Sequence, residues 1–315
     1  MLPSSPMLNL RLSRLVLLIL IGYGLIIAPQ LFASSPTEPV KVVVTIPVLK
    51  DLVEQVGGSH VKVTSLLSGY ENEHTYSPKP SDLVAVRKAR LLFEVGIGLE
   101  VWVSSLVKNA GSSSLRVITT SKGIALLRDR PDHAGATHAG GDVERGNPHV
   151  WLDPENAMTM MRHITEALIQ VDSAHAAEYR TNQASYLRKL DQLRAELSDR
   201  LARLADRRFV AHHPAWPYFA RRFGFEIVGT IQPQSGSEPS ALQIHGLIAK
   251  IRKDRVKVVV SEIQLSQKIP ELLAKETGAR VVVLTTLTEG LPHTDTYLDL
   301  LRYNVLQLAN ALEVP

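Results

Sequence analysis

The feature that most constrains the fold is one long, unbroken helical pattern set between two runs of alternating strand and helix patterns. Ala174 to Asp206 contains no Gly or Pro, and Tyr186, Leu187, Leu190, Leu193, Leu197, Leu201 and Leu204 recur at helical spacing among acids and bases. Such an amphipathic segment, roughly eight or nine turns, far exceeds the usual helix of about 11–12 residues. Before it, β-branched strand patterns (Val40 to Ile46, Val61 to Leu67, Leu91 to Val95, Leu115 to Thr119) alternate with helical ones. The latter are Pro47 to Val56, Pro80 to Ala89 with Ser81 as N-cap, Leu99 to Lys108 and Pro154 to Val171. After it, strands at Arg208 to Ala211, Phe225 to Ile231, Val256 to Ser261 and Val281 to Leu284 alternate with helices at Pro214 to Phe223, Ala241 to Lys253, Lys268 to Thr277 and Thr296 to Leu312. Alternation at this spacing implies parallel sheets covered on both faces. The expected class is α/β: two similar lobes, 40–172 and 207–315, with parallel sheets flanked by helices and joined by a linker helix over 173–206. Ligands of such sheets sit outside the carboxyl ends of the strands, which places the site in the interlobe cleft.

The first 33 residues read as an export signal. Arg11 and Arg14 precede an uncharged run, Leu15 to Ala28, and Leu31-Phe32-Ala33-Ser34-Ser35 offers a small residue for cleavage after Ala33. Fourteen residues fall short of the roughly 20 needed to span a bilayer, so an uncleaved anchor is the weaker reading. Cleavage removes two arginines and no acid, lowering the net charge from +4 to +2. No basic stripe accompanies that modest excess, which argues against a dedicated nucleic-acid binder. The 315 residues include no cysteine. Disulfides, thiolate metal sites, cysteine nucleophiles and a lipidated cysteine are therefore excluded. A metal site has to use imidazole, carboxylate or water, and the eleven histidines become the residues to explain.

Three of them stand at boundaries between elements. His74 lies in the loop after the second strand, within EHTYSPKPSD; His149 lies in NPHVWLDP, where a loop hands over to a helix; His213 ends the first strand of the second lobe, before PAWPYF. Loops at strand ends converge on a cleft from both lobes. Spacing alone leaves exposed or hydrogen-bonded roles open, since intervals of 75 and 64 residues match no local ligand motif. His163, His175 and His245 fall inside helical patterns, where surface or packing roles are expected, and His60 follows a turn. His212 points opposite to His213 if the strand continues, and His213, directly before the helix, is the one taken to face the site. Residues 130–147, with five glycines or prolines and with His133 and His138, read as a flexible surface loop that either collects metal weakly or is merely solvated.

Taken together, EHTYSPKPSD, NPHVWLDP and HPAWPYFARRFG resemble the metal-binding receptors of ABC importers for zinc and manganese, especially the periplasmic zinc-uptake type. The likeness runs from about Val40 to Leu312, with the three motifs in family order around the long helix. It implies that His74, His149 and His213 coordinate the metal, and that the 130–147 tract is a short version of the family's His-rich loop. It also implies a monomeric periplasmic protein that hands its ion to a permease in the inner membrane. Two departures stand out. The third motif normally reads His-Asp-Ala, and Pro214 replaces the Asp. The family's fourth ligand, an aspartate after the last strand, is replaced by Thr285. Glu73, Glu262, Glu289, His293, Asp295 or water are the candidates for that position.

Imidazole suits zinc, whereas manganese prefers more carboxylate oxygen. Manganese-type relatives commonly carry a glutamate in the third motif, so His213 favours Zn(II) over Mn(II) as the transported ion. Three histidines and an open position also describe a zinc hydrolase or hydratase, but no His-Glu-x-x-His helix, Gly-x-Ser-x-Gly elbow or phosphate-cradling loop is present. A metal-independent adhesin on the same scaffold is a third reading. The expectation is a receptor and not an enzyme.

Overall fold

The computed structural model describes residues 38–127, 146–232 and 237–313. The export signal, His133 and His138 lie outside the described residues. Two sheets carry the fold, each of four parallel strands. The first comprises β1 (Val40–Val44), β2 (Val61–Ser65), β3 (Leu91–Glu94) and β4 (Arg116–Thr119), in the order β2-β1-β3-β4. The second comprises β5 (Arg208–Ala211), β6 (Glu226–Thr230), β7 (Val258–Glu262) and β8 (Arg280–Leu284), in the equivalent order β6-β5-β7-β8. Strands with both faces covered need apolar residues on both sides of the pleat. Accordingly β7 (VVVSE) is buried at all five positions, and so are the last three residues of β1.

The helices between strands are α1 (Pro47–Gly57), α2 (Pro80–Lys88) and α3 (Val103–Ala110) in the first half, and α6 (Pro217–Phe223), α7 (Ala241–Asp254) and α8 (Lys268–Thr277) in the second. Between the sheets run α4 (Pro154–Val171) and α5 (Ala176–Leu201), and α9 (Tyr297–Glu313) closes the described chain. In α2 the N-cap differs from expectation. Lys79 occupies that position, Pro80 is the first helical residue, and the Asp82 carboxylate accepts from the Lys79 backbone N–H at 2.7 Å. Pro at the first helical position gives up an N–H that has no partner there anyway. Ser81 is thereby displaced into the first turn.

The long helix is real but shorter than its pattern. A separate 3₁₀ turn, Ser173–His175, precedes α5, with His175 Nδ1 on the Asp172 carboxylate at 2.7 Å. At the other end Arg207 Nη2 donates to the Leu201 carbonyl at 2.6 Å, capturing an acceptor that a further turn would have used. Tyr179, Tyr186, Leu190, Leu193, Leu197 and Leu201 form its buried stripe. That stripe lies against α4, α1 and α9. One contiguous apolar core includes Val42 and Phe93 of the first sheet, the α5 leucines, and Phe209, Val258 and Leu284 of the second.

Polar contacts tie the two halves. Buried Asp51 on α1 accepts from Tyr186 Oη of α5 at 3.0 Å and from the Tyr297 backbone N–H at 2.9 Å. Asp153, fully buried, caps α4 by accepting from Glu155 N and also takes Nε and Nη2 of Arg222 on α6 at 2.6 and 3.0 Å. The loop after β2 meets the loop after β8 backbone to backbone. A Cβ on Gly69 would stand 2.2 Å from the Gly290 nitrogen and 2.4 Å from the Thr288 oxygen. Gln264 Nε2 donates to the Gly69 carbonyl at 2.8 Å beside this contact. Gly69→Ala should therefore lower the stability of the metal-free protein by about 1–3 kcal/mol, the usual cost of overpacking, read as a drop of several degrees in thermal unfolding.

Candidate metal centre

The cluster is assembled by four chain segments. The loop after β2 brings Glu73 and His74, with His74 N donating to Asn72 Oδ1 at 2.9 Å and Trp102 Nε1 donating to the Glu73 carbonyl at 3.2 Å. The segment entering α4 brings His149, followed by the 3₁₀ turn Val150–Leu152. The end of β5 brings His213, and the end of β7 brings Glu262 behind it. β5 and β7 are neighbours at the point where strand order reverses in the second sheet, the usual ligand position of open parallel sheets.

His74 Nε2 lies 3.1 Å from His149 Nε2, and His213 Nε2 lies 3.3 Å from the same atom. Glu73 Oε1 is 3.8 Å from His149 Nε2. Glu73, His74, His149 and His213 offer four ligand atoms all within 4.8 Å of one another, and among the described residues they are the one group of this kind. Donors at about 2.0–2.1 Å from a tetrahedral ion are roughly 3.3–3.4 Å apart, a spacing matched by the two nitrogen pairs. His149, His213 and Glu73 are buried, while His74 is partly exposed.

Partners behind the cluster set the direction of the His149 and His213 rings and of the Glu73 carboxylate. Glu262 takes His213 Nδ1 at 2.7 Å and is itself held by Trp216 Nε1 at 3.0 Å. Asn147 Oδ1 sits 3.0 Å from His149 Nδ1, and Thr286 Oγ1 donates to Glu73 Oε1 at 3.3 Å. Burial, with the charge of His213 adding to it, pushes the His74 ring down to about 3. Burial and the neighbouring rings of His74 and His213 push His149 well below its ordinary value. Both stay neutral with lone pairs available, as metal ligands must. His213 differs: burial opposes its charge, but the Glu262 charge, the hydrogen bond to Glu262 and the Glu73 charge outweigh it and raise its pKa. Burial raises Glu73 in turn, partly offset by His213. For Glu262 burial works upward, yet His213 holds it below the usual carboxylate range.

All three histidines named from the sequence thus come together. His212 is buried but turned to the other side, its Nδ1 facing the Glu262 backbone N–H at 3.3 Å. Of the candidates for the fourth position, Glu73 stands in the cluster. Glu262 is on the far side of the His213 ring. Thr285 is buried and occupied by the Leu287 carbonyl and Gln264. Glu289 pairs with Lys50 at 2.8 Å, and His293 and Asp295 are exposed. Sequence reasoning missed the supporting roles of Asn147, Thr286 and Trp102. The one available signal was the position of Asn147 inside the motif NPHVWLDP.

Two like parallel α/β halves with a buried histidine–carboxylate cluster, able to hold a metal ion, define a two-lobed metal-binding receptor. The family model described as "Zinc-uptake complex component A periplasmic" (ZnuA) matches residues 42–311, and the chain belongs to that family, the periplasmic metal-binding receptors of ABC importers. These are substrate-binding proteins, not enzymes, and they work with permease and ATPase components. The chain is 30% identical over 314 residues to the high-affinity zinc uptake system protein ZnuA of Brucella abortus, covering 89% of this chain and 93% of that one. It is 29% identical over 281 residues to the iron-binding protein YfeA of Yersinia pestis, covering 88% and 87%. A crystal structure of ZnuA superimposes with a TM-score of 0.76 at 29% identity, over 88% of this chain and all of that one. No described helix is long and apolar enough to cross a membrane.

The His213–Glu262 pair generates a direct check. With Glu262→Gln the carboxylate charge is lost and burial dominates, so the His213 ring should titrate below its ordinary value of about 6.5. In the unaltered metal-free protein it should titrate above that value. Ring resonances followed by NMR from pH 5 to 9 distinguish the two.

Proposed function

We propose that this chain captures Zn(II) in the periplasm as a monomer, after removal of residues 1–33, and delivers it to an inner-membrane ABC permease. In this reading Glu73, His74, His149 and His213 hold the ion. The observation that carries it is the convergence of three imidazole Nε2 atoms and one carboxylate oxygen in a buried space. Relatives of nearly equal identity are named for zinc and for iron, so overall similarity does not choose the ion, and the donor set has to. Three nitrogens and one oxygen within 4.8 Å of one another, two of the nitrogen pairs near tetrahedral spacing, favour zinc, whereas manganese calls for a larger share of oxygen. Glu73 supplies the carboxylate that Thr285 does not. The partly exposed edge of His74 is the side on which the ion arrives and leaves.

Competitive titration of the metal-stripped mature protein with zinc, manganese and ferrous iron tests the choice. One zinc per chain, not displaced by the other two, is expected. Manganese binding as tightly would overturn the assignment, because it would need oxygen donors these four residues lack. His74→Ala, His149→Ala, His213→Ala and Glu73→Ala should each weaken zinc by about tenfold or more, with the apo fold nearly intact in all but His213→Ala, which also destabilises it by leaving buried Glu262 without its imidazole partner. Unchanged affinity in all three histidine variants would sink the site.

The pH dependence has a definite sign. The pKa of His213 is raised, and below that pKa the ring carries a proton that the ion must displace, whereas His74 and His149 carry none near neutrality. Zinc binding on the acid side of the His213 pKa should therefore release a proton. Affinity should fall as pH is lowered, by about tenfold per unit for each proton displaced. Isothermal titration in buffers of different ionisation enthalpy measures both.

A further inference from the structure

The amide of Asn147 lies between two of the cluster's segments. Its Oδ1 accepts from the backbone N–H of His149 at 3.1 Å and stands 3.0 Å from His149 Nδ1, while its Nδ2 donates to the Pro214 carbonyl, the residue after His213. The two ends of this amide are not interchangeable. A backbone N–H can only donate and a carbonyl can only accept, so the oxygen must face His149 and the nitrogen must face Pro214. The side of the ring that meets Asn147 therefore meets an acceptor, and Nδ1 must carry the hydrogen. In the neutral ring this leaves Nε2 bare, and Nε2 is the atom 3.1 Å from His74 and 3.3 Å from His213.

The backbone of the same residue is equally fixed. Asn147 N donates to the Leu127 carbonyl at 2.8 Å, and Tyr218 Oη on α6 donates to the Asn147 carbonyl at 3.0 Å while accepting from Leu127 N at 2.9 Å. Asn147 is 2% exposed, so water does not compete for these contacts. Glu262 plays the matching part for His213, taking both its backbone N–H and its Nδ1.

We propose that Asn147 is a positioning residue: its amide sets the tautomer of His149, presenting bare Nε2 to the metal, and ties that ligand to the lobe carrying His213 through the Pro214 carbonyl. The proposal rests on the zinc reading of the site for its functional consequence, but the tautomer is observable without metal. Asp at 147 keeps an acceptor for His149 and loses the donor to Pro214; Ala loses both.

The test is long-range ¹H–¹⁵N NMR of the metal-free protein, with zinc affinity measured against a competing chelator, for the unaltered chain, Asn147→Ala and Asn147→Asp. His149 should be the Nδ1–H form in the unaltered chain and in Asn147→Asp, and a mixture of forms in Asn147→Ala. Zinc should bind about 10–100-fold more weakly to Asn147→Ala, with Asn147→Asp recovering most of the loss. An Nε2–H ring in the unaltered chain, or unaltered affinity in Asn147→Ala, overturns the proposal. So does an Asn147→Asp protein as weak as Asn147→Ala with its His149 tautomer unchanged, which would mean that the tautomer does not govern affinity. If Asn147→Ala does not fold, the unaltered spectrum and Asn147→Asp decide. His149→Ala separates the two readings: zinc binding unaffected by it removes the site assignment, and the spectrum still judges the tautomer.

Discussion

Glu262 and His213 form the pairing on which the rest of the cleft depends. A carboxylate fully enclosed in a protein is costly unless it is paired and hydrogen-bonded, and Glu262 is both, through His213 and Trp216. The pair favours the charged form of one imidazole beside two that burial keeps neutral. His213 then stabilises the charge of Glu73 from across the cluster. The cluster gathers three imidazoles and a carboxylate, three of the four residues buried, into a group able to hold one metal ion. Removing either member of the Glu262–His213 pair strands the other in a dry site.

Such a cluster needs a frame that holds four segments from two sheets in register, and the frame is built largely of similar solutions. Asp51 and Asp153 are buried carboxylates, and each collects donors from helices distant in sequence. Asp51 joins α1 to α5 and α9, and Asp153 joins the start of α4 to Arg222 of α6. The backbone contact at Gly69 and Gly290 needs the absence of a side chain on both residues. Around these points lies a core shared by both sheets. The frame is thus tied polar group to polar group where the lobes meet, and apolar along α5. A receptor so braced is expected to respond to its ion by small loop adjustments around His74 more than by wide lobe closure.

Much of this was legible from the chain. β-branched runs and helical periodicity located eight strands and the helices between them to within a few residues, because local propensity and apolar patterning agreed even in β2, β4 and β6, where no residue is fully buried. The ends were less legible. The long helical pattern overshot because Arg207 takes the Leu201 carbonyl and the 3₁₀ turn at Ser173–His175 splits off the start, and both are side-chain events that periodicity does not register. Ser81 looked like a cap by residue type, yet Pro80 and Asp82 together fixed the cap two residues earlier, at Lys79.

By itself the sequence determined the α/β class, the absence of thiolate chemistry, and the three histidines, each standing at the end of an element where a cleft forms. Only the tertiary structure set Glu73 apart from Glu262, Glu289, His293 and Asp295 as the one beside the imidazoles, because sequence does not show which carboxylate meets those rings and which sits behind them. Glu73 and Glu262 are equally acidic on paper. One lies 3.8 Å from His149 Nε2 and the other 2.7 Å from the far nitrogen of His213. Cluster member and supporting partner differ by the side of a ring they occupy, and that is set by the packing of two sheets against a shared helix, which no local pattern encodes.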